Sequence, residues 1–108
     1  MDPKIWGPSM WFYLHSMTFQ YCQDKTCATI PEMEEMKTFL ESLQYTLPCL
    51  ECRQNYARHL KVYPIRLGNR RELFNWVVDL HNAVNRETNA KLIQKYNGNP
   101  PPGTLKRQ

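Results

Sequence analysis

Cys49-Leu50-Glu51-Cys52 places two thiols three positions apart, directly after Pro48. At a helix start this spacing sets one thiol a turn above the other, within reach of a disulfide. A helix N-terminus carries partial positive charge and free N–H donors, and both stabilise a thiolate. The pair is therefore suited to redox exchange. The same spacing also serves as half of a zinc site. Cys22 and Cys27 would complete a four-cysteine set, so a four-cysteine zinc-binding helical adaptor is the alternative reading. Zinc half-sites of this kind usually sit in glycine-rich turns, whereas this pair sits in a helix. A thioredoxin-like reading needs a βαβ context, and no strand pattern is visible. A second constellation is His81-Asn82-Ala83-Val84-Asn85. His81 falls on the apolar stripe of Trp76, Val77, Leu80 and Val84. Buried polar groups cost free energy unless they find partners. A bound ligand with polar edges would supply them; the plainer reading is a satisfied core histidine beside a surface asparagine.

These residues need helices to hold them, and the spacing supplies four. Gly7-Pro8 opens the first, with Pro8 where its missing N–H costs nothing. Met10, Leu14, Met17 and Tyr21 share one face, flanked by Trp11, His15 and Thr18. Thr29 and Glu32 form a capping box for the second, with Pro31 in its first turn. Met33, Met36, Leu40, Leu43 and Leu47 then trace an amphipathic stripe. Pro48 breaks that helix and starts the third, whose face carries Cys49, Cys52, Tyr56, Ala57 and Leu60. Asn69 and Glu72 start the fourth, with Leu73, Trp76, Val77, Leu80, His81 and Val84 on one side. Residues 91–96 add a short fifth helical turn. The expected architecture is all-α, a four-helix bundle with that short fifth helix. Residues 1–96 form the folded domain. Residues 97–108, with Pro100, Pro101 and Pro102 between Gly98 and Gly103, read as a flexible tail.

Composition bounds the rest. The chain has 108 residues, 42% apolar and 12% aromatic, enough for one domain with a real core. Four glycines and no sustained alternation argue against a small β-barrel. No apolar run approaches a membrane span, and no secretory signal opens the chain. The net charge of +4 is mild. The stretch 53–71 carries Arg53, Arg58, Lys61, Arg66, Arg70 and Arg71 without an acidic residue. Aromatic interleaving is sparse and no groove-reading motif is present, so this is a solvated face beside an anionic cofactor or acidic substrate rather than a nucleic-acid patch.

Three segments together resemble the Erv/ALR family of FAD-dependent sulfhydryl oxidases. Trp6-Gly7-Pro8-Ser9-Met10-Trp11-Phe12-Tyr13-Leu14-His15 is similar to that family's first-helix signature. Leu47-Pro48-Cys49-Leu50-Glu51-Cys52 is similar to its active-site disulfide, and His81-Asn82-Ala83-Val84-Asn85 to its flavin-binding motif. They occur in the family's order and span residues 6 to 91. The resemblance implies a helical bundle cradling FAD. It implies a Cys49–Cys52 pair that oxidises a substrate dithiol and passes two electrons through FAD to molecular oxygen, giving hydrogen peroxide. Cys49 would be the interchange cysteine and Cys52 the flavin-proximal one. Gly7, Trp11, His15, Tyr56, His81, Asn82, Val84 and Asn85 would line the cofactor. Lys91 falls one position later than the family's lysine, which makes Arg86 a second candidate for the pyrophosphate. No metal is implied. Partners would be thiol-bearing proteins or a thioredoxin-like carrier, and a second copy of the chain in a homodimer. The compact form looks like the oxidases of large DNA viruses. That implies a late viral protein of the host cytoplasm or virion; a cellular member would belong to the mitochondrial intermembrane space. No cysteine follows Cys52, so the further cysteine pair that many cellular members carry after the flavin-binding motif is missing. Cys22 and Cys27 have no counterpart and read as a local clamp, an improvised shuttle or free thiols.

Overall fold

The computed structural model describes residues 1–23 and 26–106. Four α-helices follow one another: α1 (Pro3–Met17), α2 (Ile30–Thr46), α3 (Leu50–Val62) and α4 (Arg70–Lys95), with a 3-10 turn at Thr18–Gln20. No strand occurs among the described residues, in keeping with the all-α expectation. None of these helices is long and apolar enough to cross a membrane.

Local chemistry sets most of the boundaries. The Thr29 hydroxyl accepts from the Glu32 N–H at 3.3 Å, and the Glu32 carboxylate accepts from the Thr29 N–H at 2.9 Å. That reciprocal pair satisfies two donors that the first turn of α2 leaves open. The Asn69 side chain does the same for Glu72 at 2.9 Å and starts α4. α1 begins four residues earlier than the Gly7-Pro8 pair predicts. Asp2 caps it by accepting from the Lys4 N–H at 2.9 Å, with Pro3 in the permissive first turn. Pro8 consequently lies inside α1. The short fifth helix is corrected as well: α4 runs unbroken to Lys95. Residues 86–91 hold neither glycine nor proline, so nothing breaks the helical hydrogen bonding. Residues 97–106 turn back beside α4, where Asn89 donates to the Lys106 carbonyl at 2.8 Å and accepts from its N–H at 2.6 Å.

α4 is the spine. At 1.5 Å per residue its 26 residues span about 39 Å, which accounts for a molecule of 49 × 25 × 24 Å. α1 packs on α4, and α2 packs on α3. Leu14, Leu40, Leu43, Leu47, Tyr56, Leu73, Trp76, Val77 and Leu80 form the core. Each fully buried leucine contributes roughly 1.5–3 kcal/mol. Two hydrogen bonds orient the aromatic members. The Trp76 Nε1–H donates to the Tyr63 carbonyl at 2.8 Å, and the Tyr56 hydroxyl donates to the Leu40 carbonyl.

Candidate functional site

Cys49 is the N-cap of α3. Its backbone is extended, and its Sγ accepts from the Cys52 N–H at 3.2 Å. Arg53 reaches back to the Leu47 carbonyl at 2.6 Å and fixes the turn that carries Pro48. Both sulfurs are half-buried thiols in this structure. Their environments push them apart. The Cys52 thiol and the free N–H donors of the first turn hold Cys49 below the ordinary thiol value. Burial, reinforced by the thiol hydrogen bond to Cys49, pushes Cys52 up to about 11. Cys49 is thus the more readily ionised sulfur of the pair and Cys52 the less.

The second cluster joins α1 to α4. Trp11 lies flat on His81, with ring centroids 4.0 Å apart and planes 10° from parallel. His15, one turn along from Trp11, brings its Nε2 to 3.0 Å from His81 Nδ1. One imidazole must donate and the other accept, so the contact suits two neutral rings. Burial lowers the proton affinity of both, and His15 lowers that of His81 further. The Thr18 hydroxyl ties the His15 carbonyl at 2.7 Å, and Phe74 meets the His15 ring edge-on at 6.3 Å. The result is a half-buried set of flat rings and ring nitrogens that can stack on and hydrogen-bond a flat heteroaromatic group. A Cβ placed on Gly7 would meet no atom within 4 Å, so the backbone there is open to close approach.

The third cluster is charged and lies between α3 and α4. Lys91 pairs with Glu51, the residue before Cys52, at 2.6 Å. Arg86 donates to the Tyr63 hydroxyl at 3.2 Å. Arg58 pairs with Glu87 at 2.8 Å. Asn82, Val84 and Asn85 are half-buried on the stretch of α4 between His81 and these charges. Tyr56 stands apart from the polar site residues. It is 6% exposed, and its hydroxyl is committed to Leu40. Its place is in the seam of α2 and α3.

Apolar periodicity missed His59. It is 4% exposed, with its Nε2 3.3 Å from a Glu87 carboxylate oxygen but out of line for a hydrogen bond. A histidine seven residues beyond Cys52 was the available signal, since seven is two helical turns. The four cysteines do not gather either. Among the described residues, no group of three or more His, Cys, Asp or Glu is placed to hold a metal ion. Cys22 is buried in the core and Cys27 is exposed.

Comparison with known proteins gives a consistent picture. Residues 8–99 match the Erv1 / Alr family. A protein of Acanthamoeba polyphaga mimivirus named as a FAD-linked sulfhydryl oxidase is 37% identical over 98 residues, covering 86% of this chain and 65% of that protein. The FAD-linked sulfhydryl oxidase ERV1 of Arabidopsis thaliana is 30% identical over 80 residues, covering 74% of this chain and 40% of that protein. The chain thus spans between two fifths and two thirds of these relatives. The crystal structure of the FAD binding domain of Erv1 from Saccharomyces cerevisiae superposes with a TM-score of 0.73 at 30% identity, over 81% of this chain and 80% of that one.

Proposed function

The chain belongs to the Erv1 / Alr family, and from that membership we propose that it is a FAD-dependent sulfhydryl oxidase that forms disulfides in thiol-bearing proteins. The observation that carries the reading is Cys49 at the N-cap of α3, its sulfur taking the Cys52 N–H. In the oxidised pair, a substrate thiolate attacks Cys49 and Cys52 departs as thiolate. The raised Cys52 makes that departure depend on an electron-poor neighbour. The donor set fits FAD. Trp11 and His81 offer flat faces, His15, Asn82 and Asn85 offer hydrogen-bonding edges, and Arg86 would neutralise an anionic pyrophosphate, Lys91 being held by Glu51 at 2.6 Å. Val84 and the open backbone at Gly7 would complete the lining. Tyr56 would contribute only ring packing from the core. FAD held there would supply a two-electron acceptor for the dithiol and a route for those electrons to oxygen, giving hydrogen peroxide. Residues 1–96 would form the oxidase unit. The partner delivering the dithiol is a substrate protein or a thioredoxin-like carrier, and two copies pair through α1 and α2. A viral member would act in host cytoplasm or virion, a cellular one in the intermembrane space.

The test begins with colour. Purified protein is expected to be yellow and to release FAD on denaturation, with one flavin per chain. It should consume oxygen with dithiothreitol and yield peroxide. Cys49→Ser and Cys52→Ser should each lose that turnover, because exchange needs two sulfurs. Only Cys49→Ser, which leaves Cys52 free, should show a broad long-wavelength charge-transfer band. Full turnover in either variant, or a colourless protein with one zinc per chain, would sink the proposal.

A further inference from the structure

Glu51 sits between the two sulfurs in sequence, and its carboxylate meets Lys91 at 2.6 Å across 40 residues of chain. The contact fastens the far part of α4 to the first turn of α3. As a source of stability it is weak. The side chains are 62% and 68% exposed, and exposed pairs contribute about 0–1 kcal/mol. Its position gives it another use. We propose that the Glu51–Lys91 pair is an electrostatic control on the Cys49–Cys52 dithiol, with Lys91 the positioning residue that neutralises the one carboxylate built into the motif.

The inference rests on the Cys49–Cys52 pair being the exchange centre. A substrate thiolate attacks Cys49 Sγ; a substrate–Cys49 disulfide forms, the Cys49–Cys52 bond breaks, and Cys52 leaves with the electron pair. A second substrate thiol loses its proton to solvent and attacks the substrate sulfur of the mixed disulfide. Cys49 leaves with that electron pair. The substrate has lost two electrons and two protons, and the pair has gained the electrons as two sulfurs that solvent can protonate. The departure of Cys52 builds negative charge beside Glu51. Its carboxylate opposes ionisation of Cys52. Lys91 draws its own stabilisation as a cation from that same carboxylate. The charges around the dithiol are few. Glu51 and Arg53 lie on α3, with Arg53 tied to the Leu47 carbonyl. The N-terminal amino group before α1 favours the Cys49 thiolate. From α4 comes Lys91, itself influenced by Glu87 and Arg58. Among these, Lys91 is the charge that can cancel Glu51 without touching either sulfur's hydrogen bonds.

The test is the pH dependence of thiolate formation in the purified flavoprotein, reduced and kept anaerobic. Iodoacetamide labelling of the peptide carrying Cys49 and Cys52 is followed by mass spectrometry. Lys91→Ala should move the labelling midpoint upward by about half a pH unit, roughly threefold less thiolate at neutral pH. Glu51→Gln should move it downward by a similar amount. Lys91→Arg should restore the parent midpoint, and about 0.5 M salt should shrink all the shifts. A merely structural tie would lower melting temperature in both variants without opposite shifts. Midpoints for Lys91→Ala and Glu51→Gln that coincide with the parent, or that move in the same direction, would overturn the inference. Retained turnover in Cys49→Ser would instead defeat the oxidase reading and leave the labelling shifts standing.

Discussion

The imidazole pair makes a pH prediction of its own. His15 and His81 share a 3.0 Å contact that needs at least one neutral ring, and burial lowers both from the ordinary histidine value of 6.5. The folded chain therefore resists protons that the unfolded chain accepts once the pH falls through that value. In that range the unfolded state binds more protons, so stability is present above it and is lost as pH falls below it. Melting temperature is expected to drop between about pH 7 and pH 5, before the carboxylates protonate. Glu87, held low by Arg58, contributes its own loss only at more acidic pH. His81→Gln should flatten the slope in that window. An unchanged slope in His81→Gln would place the titration elsewhere. Both histidines were legible in the sequence because each falls on a helical face beside apolar neighbours. His59 was not, since apolar periodicity passes over a polar residue even where, as here, it stands about one turn beyond Tyr56 on the buried side of α3.

The starts of α2 and α4 were the most readable boundaries, because a cap is a local event. Thr29 with Glu32 and Asn69 with Glu72 form hydrogen bonds within four residues, so no tertiary knowledge is needed to find them. Asn69→Ala is expected to cost about 1 kcal/mol, or roughly 4–8 °C in melting temperature, with flavin content unchanged. A neutral result by calorimetry would mean that the fold, and not the cap, sets the start of α4. The loop before α2 was less readable, because long-range contacts hold it. Tyr21 donates its hydroxyl to the Leu67 carbonyl at 2.6 Å, and the Ala28 N–H donates to the Gly68 carbonyl at 2.8 Å. They tie it to the α3–α4 connection and bury Cys22, whose φ of 39° is left-handed. The two thiols of this loop are therefore unequal. Cys22→Ser puts a hydroxyl into an apolar site and should cost about 1–3 kcal/mol. Cys27→Ser, at an exposed position, should stay within about 0.5 kcal/mol. Dithiothreitol oxidation should survive both. Loss of activity toward protein thiols alone would make the pair a shuttle, and equal destabilisation in a non-reducing melt would make it a disulfide clamp.

At the scale of the whole molecule, the uncovered surface gives the last prediction. Composition announced a core but not which apolar residues it would leave outside. α1 leaves Ile5 67%, Phe12 75% and Tyr13 53% exposed, and α2 leaves Tyr45 76% exposed. Between the two helices, Trp6, Ser9, Met10, Tyr13, Phe39, Leu43 and Pro48 line an open, mainly apolar groove. An apolar surface of this kind on so small a chain marks an interface. A second copy would cover it at no cost in new sequence, since a two-fold pair would present the same patch from both sides. The expected species by light scattering is therefore a dimer at micromolar concentration. Phe12→Glu with Tyr13→Glu should give monomers, because two carboxylates per chain would have to be desolvated in the interface. Those residues lie outside the charged cluster at Glu51 and Lys91, so the monomer should stay yellow and keep its thiol midpoint. A parent chain that runs as a monomer at every concentration would remove the pairing. A double variant that stays dimeric would move the interface off α1.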